Sequence, residues 1–217
     1  MKRASWTIGI DEVGRGALAG PVTVSAFAIS DVTYLKKNPH PPLRDSKQLT
    51  PRQREAWVGY VHIWKKKCPH ELFFAIESMS SKIVDKLNVA QAANYAATKA
   101  LEKVLAHSEI KRGSTEVILD GGLYLKRKMK PPLKRIRTVI KGDEKFDAVK
   151  LASIVAKVAR DAKLVKLHAV HPHYNFARHK GYGTKIHLEA IRIHGISIVH
   201  RLTFVRKFIT IQEICHD

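Results

Sequence analysis

GIDEVGRGALAGPVTV, residues 9–24, admits two incompatible readings. Gly14-Arg15-Gly16-Ala17-Leu18-Ala19 matches the G-x-G-x-x-A form of a dinucleotide-binding turn. The same window carries adjacent carboxylates, Asp11 and Glu12, on an apolar run. A dinucleotide turn needs a helix straight after the glycines, because the helix N-terminus holds the pyrophosphate. Here Pro21 and the β-branched run VTVSAFAI follow, which is strand chemistry. The glycines therefore serve a different close approach. Without a Cβ, backbone comes near a ligand, and an arginine between two glycines suits a phosphodiester.

Outward from this strand–loop–strand unit, the chain reads as a mixed α/β protein around one sheet. Residues 6–13 and 21–29 are the first two strands and residues 71–77 the third. Pro39, Pro41 and Pro42 mark a loop between the second and third. Thr50-Pro51-Arg52-Gln53 combines a capping Thr, a proline at the first helical position and a Gln at the third, and starts a helix that runs to about Lys66. Residues 78–107 read as helical throughout, with Asn88 and Gln91 capping the longer part and Ala93, Ala97, Leu101 and Val104 as its buried stripe. Residues 116–120 and 135–140 are two further strands. Residues 147–168 form a helix, and residues 184–195 form another that stops at Gly195. The 217 residues suit a single domain, and no repeat or linker divides them.

Charge gives the first functional direction. Lys and Arg total 39 against 19 Asp and Glu, a formal net charge of +20. Such a field attracts polyanions and strains a compact chain unless a partner uses it. Nucleic acid is the leading partner. An anionic membrane surface is the alternative, but there is no basic amphipathic anchor helix, no lipidation signal and no apolar run of the roughly 20 residues that span a bilayer. Asp11 and Glu12 interrupt the apolar start too early for a signal peptide. Cys68 and Cys215 lack metal spacing and read as reduced thiols, with a single disulfide as the alternative.

The acids give the second. Asp11 and Glu12 are strand neighbours and point to opposite faces unless the strand ends or bulges there. Asp120 closes its strand before Gly121-Gly122, and Asp143 follows the 135–140 strand in KGDEKF. Ligands in α/β sheets gather at such strand ends. Clustered carboxylates take hard divalent cations such as Mg²⁺, and two ions about 3.5–4 Å apart bind the attacking and leaving oxygens of an in-line phosphodiester displacement. Taken singly, Asp143 also suits a turn cap and Asp120 an Asx-turn. Between them, residues 124–141 hold eight basic residues and no acid, a phosphate-facing composition. Residues 178–207 add seven Lys/Arg against the single acid Glu189.

With these residues in place, the chain resembles the type 2 ribonuclease H family, specifically bacterial ribonuclease HII. The likeness runs through GIDEVGRGALAGPV, RDSKQLT (44–50), LDGG (119–122), KGDEKF (141–146), ASIVAKVARD (152–161), HPHYNFARHKGYGTKIHLEAI (171–191) and HGISIVHRLTF (194–204), in order, over nearly the whole chain. The resemblance implies a ribonuclease H-like fold: a central mixed five-stranded sheet, three antiparallel strands then parallel ones, flanked by helices. Residues from roughly 170 to 217 would form a C-terminal helical substrate-binding part. It implies a metal-dependent endonuclease, with two Mg²⁺ or Mn²⁺ ions, that cuts RNA in RNA–DNA hybrids and incises 5′ of single ribonucleotides in duplex DNA, leaving 3′-hydroxyl and 5′-phosphate ends. No obligate protein partner is implied, so the expectation is a cytoplasmic monomer serving ribonucleotide excision repair.

Carried over by position, the resemblance puts the four metal-binding acids on Asp11, Glu12, Asp120 and Asp143. The glycine–arginine–glycine motif that contacts the ribonucleotide falls on Gly14, Arg15 and Gly16. The tyrosine that reads the sugar at the RNA-to-DNA junction falls on Tyr182. Lys47, Ser153 and Lys157 match positions near the substrate backbone. Ser153, Lys157 and Asp161 share one helix face by spacing. Glu144 and Asp147 stand close enough to Asp143 to compete with it as the fourth ligand. The departures are Leu151, where the family has a small residue, and Ile196, where proline is common. Twelve histidines raise a zinc reading, but no cysteine or carboxylate spacing completes a closed site, and His168, His171 and His173 read as surface or turn residues. A non-catalytic basic protein that coats nucleic acid would account for the charge but not for acids at three strand ends.

Overall fold

The computed structural model describes residues 6–30, 35, 40–126, 133 and 135–208. Pro39, Cys215 and most of the basic run between Lys126 and Arg135 lie outside the described residues. Five strands form one sheet in the order β3-β2-β1-β4-β5, where β1 is Trp6–Val13, β2 is Val22–Ile29, β3 is Leu72–Met79, β4 is Thr115–Asp120 and β5 is Arg135–Val139. The first three strands are antiparallel, and β4 and β5 run parallel to β1.

The principal helices are α1 (Pro51–Lys67), α2 (Ser81–Leu87), α3 (Val89–Leu105), α4 (Gly142–Lys145), α5 (Asp147–Val170), α6 (Phe176–His179), α7 (Lys185–His194) and α8 (Leu202–Val205). Local chemistry sets their starts. Thr50 and Gln53 close a reciprocal capping box at α1. Asn88, in an unusual positive-φ conformation, breaks α2 from α3 and caps α3 through Gln91 N–H at 3.0 Å. The expected helix over 78–107 is corrected at its start. Ser78 and Met79 belong to β3, paired with Thr23 and Val22, and the Thr23 and Ser78 hydroxyls bond across the ladder at 2.8 Å. Sheet pairing overrides local helical pattern there.

Strand alternation builds two cores. Ile8, Ile10, Val22, Val24, Ala26 and Ala28 pack on the small-residue stripe of α3. Phe27, Ile29 and Leu72 pack on α1 and α5. Helix α5 lies almost on the backbone of β1, because a Cβ at Gly9 would collide with the Ala148–Val149 peptide. Leu151 is fully buried in this second core, which accounts for a large side chain at that position. A third core joins Leu18 and Ala19 to Leu164, Tyr174, Phe176, Ile191 and Val205, with Ile196 packed against it. It fixes the C-terminal segment against the loop that follows β1.

Candidate active site

Asp11 and Glu12 do project to opposite faces, yet both line one cleft. The β1–β2 ladder continues to Val13↔Thr23, whereas the parallel β1–β4 ladder ends at Ile10↔Leu119. The sheet therefore opens just where the two acids stand. Asp11 turns towards Ser153 of α5, and Glu12 is held by the Arg15 guanidinium at 3.1 Å. The strand neither ends nor bulges on its β2 side; the parting of β4 does what a bulge was expected to do.

Asp120 closes β4, and its Oδ1 accepts a 2.6 Å hydrogen bond from Gly142 N–H. This bond ties the start of α4 to β4 and brings Asp143 inward. Lys141 takes a left-handed conformation to make the turn. One oxygen each from Asp11, Asp120 and Asp143 lies within 4.8 Å of the others. The sequence left Asp143 in competition with Glu144 and Asp147. Here Glu144 pairs with Lys141 and Asp147 with Lys150, while Asp143 is buried in the cluster.

The electrostatics of the cluster are unfavourable to its own charge. Burial, then repulsion from Glu12, holds the Asp11 carboxyl well above the usual carboxylate range. Burial raises Glu12 as well, against the opposing pull of Arg15. Asp120 is raised by burial and by the Asp143 charge. Glu12 Oε2 is buried with no hydrogen-bond partner among the described residues. Asp11, Asp120 and Asp143 form a convergent, mutually repelling set of hard oxygen donors that fits a divalent cation of the Mg²⁺ or Mn²⁺ type, and Glu12 stands outside that set of three, lining the same cleft with one orphaned acceptor. Lys47 Nζ supplies part of the missing positive charge at 3.2 Å from Asp143 Oδ2. Burial opposes the Lys47 ammonium most, but Asp143, Asp45 and Asp11 together outweigh it and the net effect is a raised pKa.

The cleft, about 290 Å³, is lined by Asp11, Glu12, Gly14, Arg15, Gly16, Lys47, Asp120, Ser153, Lys157 and Tyr182. Ser153 Oγ bonds Ser46 Oγ at 2.7 Å and so anchors the short turn that carries Lys47. Lys157 pairs with Asp161 at 2.8 Å one turn on, so the polar face of α5 is an ion pair at its outer end. Ala17 and Tyr182 form a backbone bridge, which sets Tyr182 beside the glycine loop.

The two loop glycines differ. Gly14 has φ +88°, and a Cβ there would fall inside the Arg160 guanidinium. Gly16 has nothing within 4 Å of a would-be Cβ. Packing within the chain requires glycine at 14; at 16 the space faces the cleft.

Two residues that hold this loop escaped the sequence reading. Buried Arg160 donates to the carbonyls of Pro21, Ala19 and Lys180 at 2.9, 3.3 and 3.0 Å. Buried Arg201 donates to those of Gly20 and Arg15 at 3.0 and 2.9 Å. A signal for Arg160 exists. It continues the i+4 row Ala148, Ala152, Ala156 and precedes Leu164, all buried, so an arginine stands in an apolar stripe. Arg201 has no comparable pattern around it.

The site is thus a carboxylate cluster at the opening of a mixed sheet flanked on both faces by helices. A family profile described as Ribonuclease HII matches residues 8–207. The chain is 38% identical over 207 residues to the ribonuclease HII of Chlamydia pneumoniae, covering 95% of this chain and 85% of that protein. Among solved structures it is similar in fold to the ribonuclease H2 of Pyrococcus horikoshii OT3, with TM-score 0.67 and 22% identity over 93% of this chain and 96% of that one. It also resembles Bst-RNase HIII in complex with Mn²⁺, with TM-score 0.70 and 18% identity over 94% and 69% of the respective chains. The chain belongs to the ribonuclease HII family. It is thus a metal-dependent endonuclease with ribonuclease H activity on RNA–DNA hybrids. Among the described residues no helix is long and apolar enough to cross a membrane.

Proposed function

We propose that, besides cutting the RNA strand of hybrids, this enzyme incises duplex DNA on the 5′ side of a single embedded ribonucleotide. The products are 3′-hydroxyl and 5′-phosphate ends. The observation that carries the reading is the shared cleft, in which Asp11, Glu12, Asp120, the open Gly16 and Tyr182 face one volume.

In this reading Asp11, Glu12, Asp120 and Asp143 hold two divalent cations, Mg²⁺ or Mn²⁺. When bound, the ions supply an activated water and stabilise the leaving 3′-oxygen in an in-line displacement. The protein's own groups do the rest. The amides of Gly14, Arg15 and Gly16 receive the ribonucleotide, and Gly16 lets the sugar approach the backbone. Only the 2′-hydroxyl distinguishes RNA from DNA at that position, so the loop and the Tyr182 ring are its readers. Lys47, Ser153 and Lys157 follow the phosphate backbone, and residues from about 170 onward, whose described part packs on the third core, form the substrate-binding part. Cytoplasmic action as a monomer in ribonucleotide excision repair completes the proposal.

The test compares incision with binding. Tyr182→Ala should reduce cleavage of a single-ribonucleotide duplex at least tenfold while changing duplex affinity by less than about threefold, since positioning rather than attachment is lost. An equal loss in both would overturn the assignment of Tyr182.

A further inference from the structure

Three histidines cluster at the backbone of the Gly181–Tyr182 segment, and none of them lines the cleft. His187 and His200 are buried, and His179 nearly so. His187 Nε2 and His200 Nε2 lie 3.1 Å apart. On the far side of His200, Nδ1 is 2.9 Å from Ser197 N. On the far side of His187, Nδ1 is 2.9 Å from the Tyr182 carbonyl oxygen.

Every proton in this chain is fixed by its ends. The Ser197 amide is a donor, so His200 Nδ1 is bare, the Ser197 hydroxyl 2.9 Å away donates to it as well, and the neutral ring carries its proton on Nε2. That proton points at His187 Nε2, which must then be bare. His187 accordingly carries its proton on Nδ1 and donates it to the Tyr182 carbonyl, an obligate acceptor. His179 obeys the same logic independently. Its Nδ1 accepts from Gly181 N–H at 3.2 Å, which leaves Nε2–H to donate to the Tyr174 carbonyl at 2.7 Å. The His179 and His187 rings stack at 4.3 Å between centroids.

The segment they hold is the one that meets the glycine loop. Gly181 O accepts from Leu18 N–H at 2.8 Å, and a Cβ at Gly181 would strike Ala19 O. A rotation of the 181–182 peptide would therefore break the contact between Tyr182 and the loop.

We propose that His187 and His200, supported by His179, are positioning residues: a neutral imidazole relay of fixed tautomers that sets the Tyr182 backbone, and through it the ring that meets the ribonucleotide. The proposal rests on the reading of Tyr182 given above. Protonating His187 would set two N–H groups against each other across 3.1 Å, and protonating His200 would set its Nδ1–H against the Ser197 amide N–H at 2.9 Å. Burial accordingly lowers His187 to about 4 and His200 to about 3, with His179 opposing positive charge on both rings and His171 on His200. The neighbouring Tyr174 ring packs on His200 and brings no opposing charge.

Two measurements on the full chain test it. In long-range ¹H–¹⁵N spectra of the imidazoles, His187 should appear as the Nδ1–H tautomer and His179 and His200 as Nε2–H tautomers. A His187 resonance in the Nε2–H class overturns the relay without any variant. The second is a double-mutant cycle on single-ribonucleotide incision, read as kcat. His187→Phe should lower kcat about tenfold, the worth of one buried hydrogen bond, with duplex affinity unchanged. His187→Asn, which keeps an N–H at the δ position, should recover most of that loss. On the Tyr182→Ala background His187→Phe should add nothing. If the two losses multiply, or Asn behaves as Phe, His187 does not act through Tyr182 and the relay is wrong. If Tyr182→Ala alone leaves incision intact, the reading of Tyr182 fails first, a distinguishable result that also removes the relay's purpose.

Discussion

The Arg160 guanidinium occupies the space that a side chain on Gly14 would need. This fit, together with φ +88°, makes Gly14 a structural requirement, whereas Gly16, two residues on, has open space in front of it. Gly14→Ala should lose at least ~2 kcal/mol of stability, from the left-handed backbone and the displaced arginine. Gly16→Ala should melt within about 0.5 kcal/mol of the parent yet cleave about tenfold or more slowly, since a methyl group would displace the sugar. Parallel denaturation and single-turnover assays check the pair. Equal destabilisation by both would contradict the division of labour.

The acid cluster should cost the metal-free protein stability. Asp11 has a raised folded-state pKa, so its protonated form is favoured in the fold and stability falls as pH rises through that value. Asp11→Asn removes the buried charge while keeping its shape. In a chelator it should melt a few degrees above the parent, a shift of the size that ~1 kcal/mol produces, and show no cleavage. Mg²⁺ should raise the melting temperature of the parent and not that of the variant. Calorimetry with and without Mg²⁺ decides it.

The histidine relay predicts an acid-sensitive C-terminal segment. His187 and His200 have folded pKa values of about 4 and about 3, below the ordinary histidine value near 6.5. The unfolded chain therefore binds more protons between these limits, and stability declines as pH falls through the window. The expected slope is about 1.4 kcal/mol per pH unit for each histidine that must stay neutral. Urea denaturation between pH 7 and 4.5 measures it, and His200→Gln should flatten the slope. A pH slope left unchanged by His200→Gln would contradict the fixed neutral rings.

Lys47 bridges to Asp143 with a largely exposed side chain, so the pair is screened. Lys47→Ala should change stability by less than about 1 kcal/mol. It should weaken substrate binding and lower the slope of log affinity against log salt by about one, the signature of a lost phosphate contact. An unchanged salt slope would place Lys47 off the substrate path.

Much of this molecule was legible in the sequence because its signals are local. The capping box at Thr50 and Gln53, the Asn88 break and the β-branched runs of β1 and β2 specify elements by chemistry within a few residues. Ser78 and Met79 were misread because their partners, Thr23 and Val22, are far away in the chain. The acids were visible as strand-end residues, but their convergence depends on where the β1–β4 ladder stops, which no local pattern encodes. Spacing alone could not separate Asp143 from Glu144 and Asp147; the Gly142–Asp120 hydrogen bond that turns the segment inward does. Arg160, Arg201, His187 and His200 stayed hidden because polar residues read as surface until a fold buries them.

The most direct test of the central claim is the position of the cut. A duplex carrying one ribonucleotide, labelled at the 5′ end of that strand, is incubated with the enzyme and Mg²⁺ and the product is sized against a ladder. A single nick at the phosphodiester 5′ of the ribonucleotide, leaving a 3′-hydroxyl and lost in Asp11→Asn, is the predicted result. Cleavage on the 3′ side, equal cutting of an all-DNA duplex, or undiminished nicking by Asp11→Asn would contradict it.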